Sequence, residues 1–308
     1  MLFPLLLLCG FSAQAGEKAV PRQVELVVRD GKIDVTLPED QLKVSRQQLL
    51  DWVESKASAV SNYYGHFPVP HLTLRVRADD RSGVHHGVTY PNDGGLILIT
   101  VGRESSVDDL KQDWTLTHEM IHLAFPSMAE NHHWIEEGIS VYVEPVARAQ
   151  VGDIPVDEVW RQFIRDMPSG QPQYGDHGLD FTHTWGRTYW GGAMFCLLAD
   201  VRIRERTHNR KGLQNALRAI REHGGVISED WDIEKALAIG DKATQTKVLQ
   251  ELYAEMRDKP DPVDLTQLWQ KLGLSMTGRD VHYDDHAPEA AIRKAITASG
   301  KQHARNTF

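Results

Sequence analysis

An α+β fold is predicted by the order in which two hydrophobic periods appear along the chain. Period-two runs occur early, around one long helical pattern; after residue 105 only helical spacing remains. With 308 residues, 41% of them hydrophobic, the chain can bury a substantial core in one or two domains.

Two alternating runs flank Asp30-Gly31, a turn pair that tolerates positive φ, so residues 24–37 read as a hairpin. Leu49, Leu50, Val53, Ala57, Val60 and Tyr64 then follow helical spacing, with Ser45 as N-cap and Gly65 as stop. Leu72, Leu74 and Val76 share one face of a strand over residues 71–77. Residues 84–90 and 96–101 are two further strands, separated by the turn Pro91-Asn92-Asp93-Gly94-Gly95. Ser106, followed by Asp108 and Asp109, opens a helix that Pro126 ends. Asn131 starts the next, which Pro145 breaks. Residues 150–180 are rich in Asp, Pro and Gly, with a helix over 156–167; this insertion is placed near a cleft mouth. Residues 189–203 carry no charge before Asp200 and read as a central helix. Four amphipathic helices follow, marked by Leu213 to Ile220, Ile233 to Leu237, Val248 to Met256 and Leu265 to Leu272. After Thr277 the tail is polar, and 287–298 form a last docked helix.

The first residues fit an exported protein. The apolar run Leu5-Leu6-Leu7-Leu8 leads to Ala13-Gln14-Ala15, a small-residue cleavage pattern, so residues 1–15 are a leader cut after Ala15 and the protein is secreted or periplasmic. The run is too short for a permanent bilayer span, and no later segment is long and apolar enough to be one. Cleavage removes Cys9 and leaves Cys196 alone in an apolar stretch, where a core residue is expected. The net charge of −9 and the lack of a long basic run argue against nucleic acid as a partner. Oligomeric state is not encoded in any of these features.

Chemistry concentrates in Thr117-His118-Glu119-Met120-Ile121-His122, an H-E-x-x-H string. Residues four apart on a helix share a face, so His118 and His122 can offer imidazole nitrogens to one zinc ion. Glu119 projects beside them as a general base for a water. On a chain with 15 His the string alone is weak evidence. A catalytic zinc also needs a third protein ligand and an open fourth position.

Downstream, Trp134, Glu137, Gly138, Tyr142 and Glu144 form a W-x-x-E-G-x-x-x-Y-x-E pattern, and Tyr189-Trp190-Gly191-Gly192-Ala193 forms a Y-x-x-G-A segment. With the H-E-x-x-H string, these resemble the gluzincin metallopeptidases, especially the alanyl-aminopeptidase and leukotriene-hydrolase type, over residues 84–200. The resemblance implies a two-lobed, thermolysin-like catalytic domain: an N-terminal lobe over 16–130 with a mixed sheet and helices, an all-helical C-terminal lobe over 131–276, and a tail over 277–308. It implies that Glu137 is the third zinc ligand; Glu136 points about 100° away on a helix. It implies that Tyr189 stabilises the oxyanion, though an aromatic there could also be simply half-buried. Glu144 is placed beside the ligands or at the cleft wall. The chain departs from the aminopeptidases in two ways. Only residues 123–136 separate His122 from Glu137, and the G-x-M-E-N stretch that grips a free amino end is replaced by Gly94-Gly95-Leu96-Ile97-Leu98-Ile99-Thr100, which has no acid.

In gluzincins the strand before the first zinc helix is a sheet edge along the cleft, so Leu96, Ile97 and Leu98 are expected to bind substrate through the backbone. His183 is a candidate for oxyanion assistance. Arg187 could hold a substrate carboxylate or pair with an acid. His85 and His86 could reach substrate but read as exposed loop histidines, and His132 and His133 read as surface or neighbouring residues rather than ligands. The expected activity is zinc-dependent hydrolysis of a peptide or protein substrate, with one zinc per chain. A second reading is a non-hydrolytic binding protein that keeps the metal site as a scaffold; an intact Glu119 argues against it.

Overall fold

A computed structural model describes residues 22–38 and 42–299. The leader expected over 1–15 lies outside the described residues. Strands β1 (Arg22–Val28) and β2 (Gly31–Leu37) form the predicted hairpin. Its turn residues are Arg29 and Asp30, and the positive φ of 54° falls on Arg29, not on the glycine. Gly31 serves a different need: a Cβ there would lie 2.5 Å from the Phe67 ring.

Helix α1 (Arg46–Tyr64) begins with a reciprocal cap, Gln48 N–H on Ser45 Oγ and Ser45 N–H on Gln48 Oε1, and ends at Gly65 in the left-handed conformation. Strands β3 (His71–Asp79), β4 (Val84–Tyr90) and β5 (Leu96–Gly102) complete a five-stranded mixed sheet in the order β1-β2-β3-β5-β4. β2, β3 and β5 run parallel; β1 and β4 are antiparallel to their neighbours. Alternate residues Ile33, Val35, Leu72, Leu74, Ile97 and Ile99 are fully buried. Each such side chain contributes about 1.5–3 kcal/mol by leaving water.

The order corrects one expectation. β5 is an interior strand, and the edge beside it belongs to β4, with β1 at the other side of the sheet. Leu96, Ile97 and Leu98 are paired on both sides, with β3 and with β4, and have no backbone edge to offer a substrate.

The helix expected from Ser106 to Pro126 is two helices, α2 (Val107–Gln112) and α3 (Thr115–His122). Asp113 makes the break. Its backbone is extended, and its carboxylate accepts from the N–H groups of Thr115 and Leu116 and from Trp52 Nε1. One buried aspartate thus stops α2, caps α3 and ties both to α1.

A 3₁₀ turn over Glu130–His132 leads into α4 (His133–Val151). Asn131 is not its cap; its side chain meets the His132 ring instead. Pro145 lies inside α4 without ending it. The missing N–H would have served Val141, which sits half-buried at a cleft wall where solvent can replace the bond. α4 packs against α1, α3 and the later helices and is the central strut of the molecule.

Helix α5 (Val156–Asp166) ends in a 3₁₀ turn over Met167–Gly170. The expected helix from Tyr189 is a π-helical turn, Gly186–Gly191, running into α6 (Gly192–Arg206). Helices α7 (Leu213–Glu222), α8 (Ile233–Thr244), α9 (Val248–Met256) and α10 (Leu265–Leu272) follow their predicted apolar faces. The C-terminal part is not all helical, because Leu274–Thr277 (β6) and Asp280–Tyr283 (β7) pair as a small hairpin. α11 (Ala290–Ile296) then docks against α6 and α10, and the Gln150 side chain at the end of α4 donates to the Ile296 carbonyl. Cys196 is buried in the core. No helix among the described residues is long and apolar enough to cross a membrane.

Candidate metal centre

Helical spacing brings His118 and His122 together at one end of α3, and packing brings α4 to meet them. His118 Nε2 lies 3.1 Å from Glu137 Oε2 and 3.3 Å from His122 Nε2; His122 Nε2 lies 3.7 Å from the same carboxylate oxygen. The donor atoms of His118, His122 and Glu137 all fall within 4.8 Å of one another. Two ring nitrogens turned on each other and on one carboxylate are a donor set that a shared cation satisfies, and two imidazoles with a carboxylate suit zinc. His118 and Glu137 are buried. Glu136 points elsewhere, to the Met128 N–H and the His133 ring.

The electrostatics of Glu137 and His122 agree with a cation-binding role. Burial opposes the charge on Glu137, but hydrogen bonds from His118 and His133 hold its carboxyl well below the usual range. Burial pushes His122 down to about 4, helped by its His118 and His133 neighbours, so its ring is neutral with a free lone pair at pH 7. For His118 the Glu137 bond and charge outweigh burial and raise the ring.

Among the supports of this cluster, Ser140, Thr89 and Gly87 are ones that sequence reasoning passed over, whereas His133 was expected as a neighbour of the ligands. Ser140 Oγ lies 3.3 Å from His122 Nδ1, fixing the ring from behind. His133 Nε2 lies 3.3 Å from Glu137 Oε1, beside the donor set but outside it. Its place four residues before Glu137 on α4 puts both on one helix face. Thr89 on the edge strand donates to Glu119 Oε2 at 2.6 Å. Gly87 makes room, since a Cβ there would come within 2.5 Å of Glu119 Cγ. An isolated glycine in a strand pattern is the sequence trace of such an approach. Glu119 is buried, and burial raises its carboxyl above the ordinary value.

Tyr189 reaches the cluster because two glycines let helices touch. A Cβ on Gly192 would lie 2.1 Å from the Trp134 carbonyl, and one on Gly138 would lie 2.3 Å from the Gly192 backbone. α4 and α6 therefore cross backbone to backbone next to Glu137. The Tyr189 ring stacks over His118 at 6.5 Å between centroids. Burial and the Glu137 carboxylate push its phenol up to about 12, so it is a hydrogen-bond donor at neutral pH.

Other expected residues lie elsewhere. Arg187 is buried and donates to the Gly170 carbonyl at 2.6 Å, so it meets neither of its two predicted partners, a substrate carboxylate or an acid side chain, in a hydrogen bond. The packing of its own π-helical turn on residues 167–170 draws it inward. His183 is exposed and does not line the cleft beside the cluster. Glu144 does line it, paired with Arg148 at 2.7 Å. His85 folds back on the Ser82 carbonyl, and His132 meets the Tyr253 hydroxyl.

No protein-family model and no curated protein matches the chain. Solved structures do. An aminopeptidase N family protein from Idiomarina loihiensis superposes with a TM-score of 0.61 at 12% identity, over 82% of this chain and 49% of that one. An M1 zinc metallopeptidase from Deinococcus radiodurans gives 0.50 at 13% identity, over 79% and 55%. A variant two-domain M1 zinc metallopeptidase with L-tryptophan bound gives 0.51 at 12%, over 79% and 52%. The chain spans about half the length of these structures. Its fold is of the kind seen in these M1 zinc peptidase structures.

Proposed function

We propose that the chain is an exported zinc metallopeptidase that hydrolyses peptide bonds with Glu119 as general base. One observation carries the reading: His118, His122 and Glu137 converge from two helices with Glu119 beside them, on a fold of the M1 peptidase kind. The two lobes meet near residue 130, the imidazoles coming from the first and the carboxylate from the second. When bound, one zinc per chain supplies Lewis acidity to the scissile carbonyl and the attacking water. Glu119 takes a proton from that water and passes it to the departing amine. Thr89 fixes the carboxylate's orientation through its short bond to Oε2. Tyr189, still protonated at neutral pH, donates to the oxyanion as the carbonyl becomes tetrahedral. An extended peptide aligns along the outer edge of β4, where Val88 and Tyr90 are exposed.

The test is cleavage of a peptide pool with and without a zinc chelator, read by mass spectrometry. Glu119→Gln is expected to keep one zinc per chain while activity falls by about 10²–10⁴. Full activity in that variant would remove the mechanism. Bound zinc without chelator-sensitive cleavage would favour the scaffold reading. Export is checked by sequencing the secreted protein, whose first residue is expected to be Gly16.

A further inference from the structure

A cleft of about 760 Å³ opens beside the metal centre and shares His118 and Tyr189 with it. Two tryptophans on its walls are exposed, Trp114 at 54% and Trp185 at 64%. Five of the other six, Trp52, Trp134, Trp160, Trp190 and Trp269, are buried. Exposure of a large aromatic surface at the mouth of a site is informative where exposure elsewhere is not.

The two share a construction. Trp114 precedes His118 by four residues and meets its ring edge to face at 5.5 Å. Trp185 precedes Tyr189 by four residues and stacks on it at 5.7 Å. Each indole is thus braced by a residue of the centre while much of its surface stays open. The buried charges at the cleft floor are matched among themselves and with Lys56 behind them. Arg148 binds Glu144 at 2.7 Å and Asp153 at 2.6 Å, and Lys56 binds Asp153 at 2.9 Å. A charged side chain entering there would lose water and find those partners taken. An aromatic one would cover indole surface and gain ring contacts.

We propose that Trp114 and Trp185 are the jaws of a subsite that selects peptides with an aromatic residue next to the scissile bond. The proposal rests on the peptidase reading for the position of that bond. It does not rest on it for the preference itself, which is a matter of binding.

The test is calorimetric titration of the full-length protein carrying Glu119→Gln, loaded with zinc, using blocked peptides that differ only in phenylalanine against alanine at one position. The phenylalanine peptide is expected to bind about tenfold tighter. Trp114→Ala and Trp185→Ala should each cut that preference below about threefold while leaving the alanine peptide's affinity unchanged. Trp→Phe at either place should retain most of it. Because both indoles are exposed, the variants should melt close to the parent, which thermal unfolding checks. Equal binding of the two peptides, no binding of either, or equal weakening of both by the variants would overturn the subsite. Preference without cleavage by the unmodified protein would sink the peptidase reading and leave the subsite standing. Cleavage without preference would do the reverse.

Discussion

The two helices that meet at the metal centre reach it by different means. α3 is eight residues long, and its histidines face one way because helical geometry puts residues four apart on one side. It is held from outside, by Asp113 at its start and by Thr89 from the sheet edge. α4 is nineteen residues long, and its Glu137 arrives by tertiary packing against α6 and through a buried ion network on its last turns. Proximity of the imidazoles is therefore local and robust, whereas proximity of the carboxylate depends on distant contacts.

Gly192→Ala should test that contrast most severely. Its Cβ would strike the Trp134 carbonyl, which cannot move without shifting α4. More than about 3 kcal/mol of stability should be lost, as backbone against backbone leaves little room to relax. The melting midpoint should fall by about 5 °C or more, and both Glu137 and Tyr189 should be displaced. An unchanged midpoint with unchanged zinc content would break the contrast.

Asp153→Asn comes next. Burial opposes the Asp153 charge, but bonds from Lys56 and Arg148 outweigh it and lower its carboxyl below 3.8. A lowered folded value means stability that is complete above the unfolded value and lost as pH falls through the folded one. The variant should be about 2 kcal/mol weaker in urea at pH 7, less than for a fully buried pair. The gap should narrow as the pH is lowered below about 4. A gap constant with pH would show that the network's charge is not what matters.

The smallest effect is expected on the α3 side. Thr89→Val keeps the shape of the strand and removes the hydroxyl bonded to Glu119. Turnover should fall about tenfold, the ~1.4 kcal/mol of one hydrogen bond to a charged group. Zinc content and melting should hold. Loss of zinc in this variant would mean that the sheet edge supports the imidazoles as well.

The same contrast explains what could be read from the chain before its structure. The spacing of His118, Glu119 and His122, the cap at Ser45 and the apolar faces of α1 and α7–α10 follow from local rules, and all appear as expected. The failures are tertiary, with one exception. β5 is a near-continuous apolar run, the mark of an interior strand, while β4 carries two histidines, a glycine and a threonine; position before the zinc helix was weighed above that pattern, so β5 was taken for the edge that β4 occupies. Pro145 has a helix breaker's chemistry, but the packing of α4 on both sides overrides it. Asp113 looks like one acid among several in a helical run until Trp52 and two backbone N–H groups are seen around it. The β6–β7 hairpin falls in a polar stretch too short to show a period. Arg187 sat close in sequence to Tyr189, but the π-helical turn sends it into the interior.

The turn carrying Tyr189 is gripped on two flanks. Gly138 and Gly192 touch on one, and on the other a Cβ at Gly170 would sit 2.3 Å from the Trp190 backbone. The phenol consequently stands on a frame with almost no play. Anyone wishing to redirect this molecule toward new cargo would do best to leave that scaffold intact and exchange the rim indoles, treating the backbone as a fixed chassis and the lining as its replaceable part.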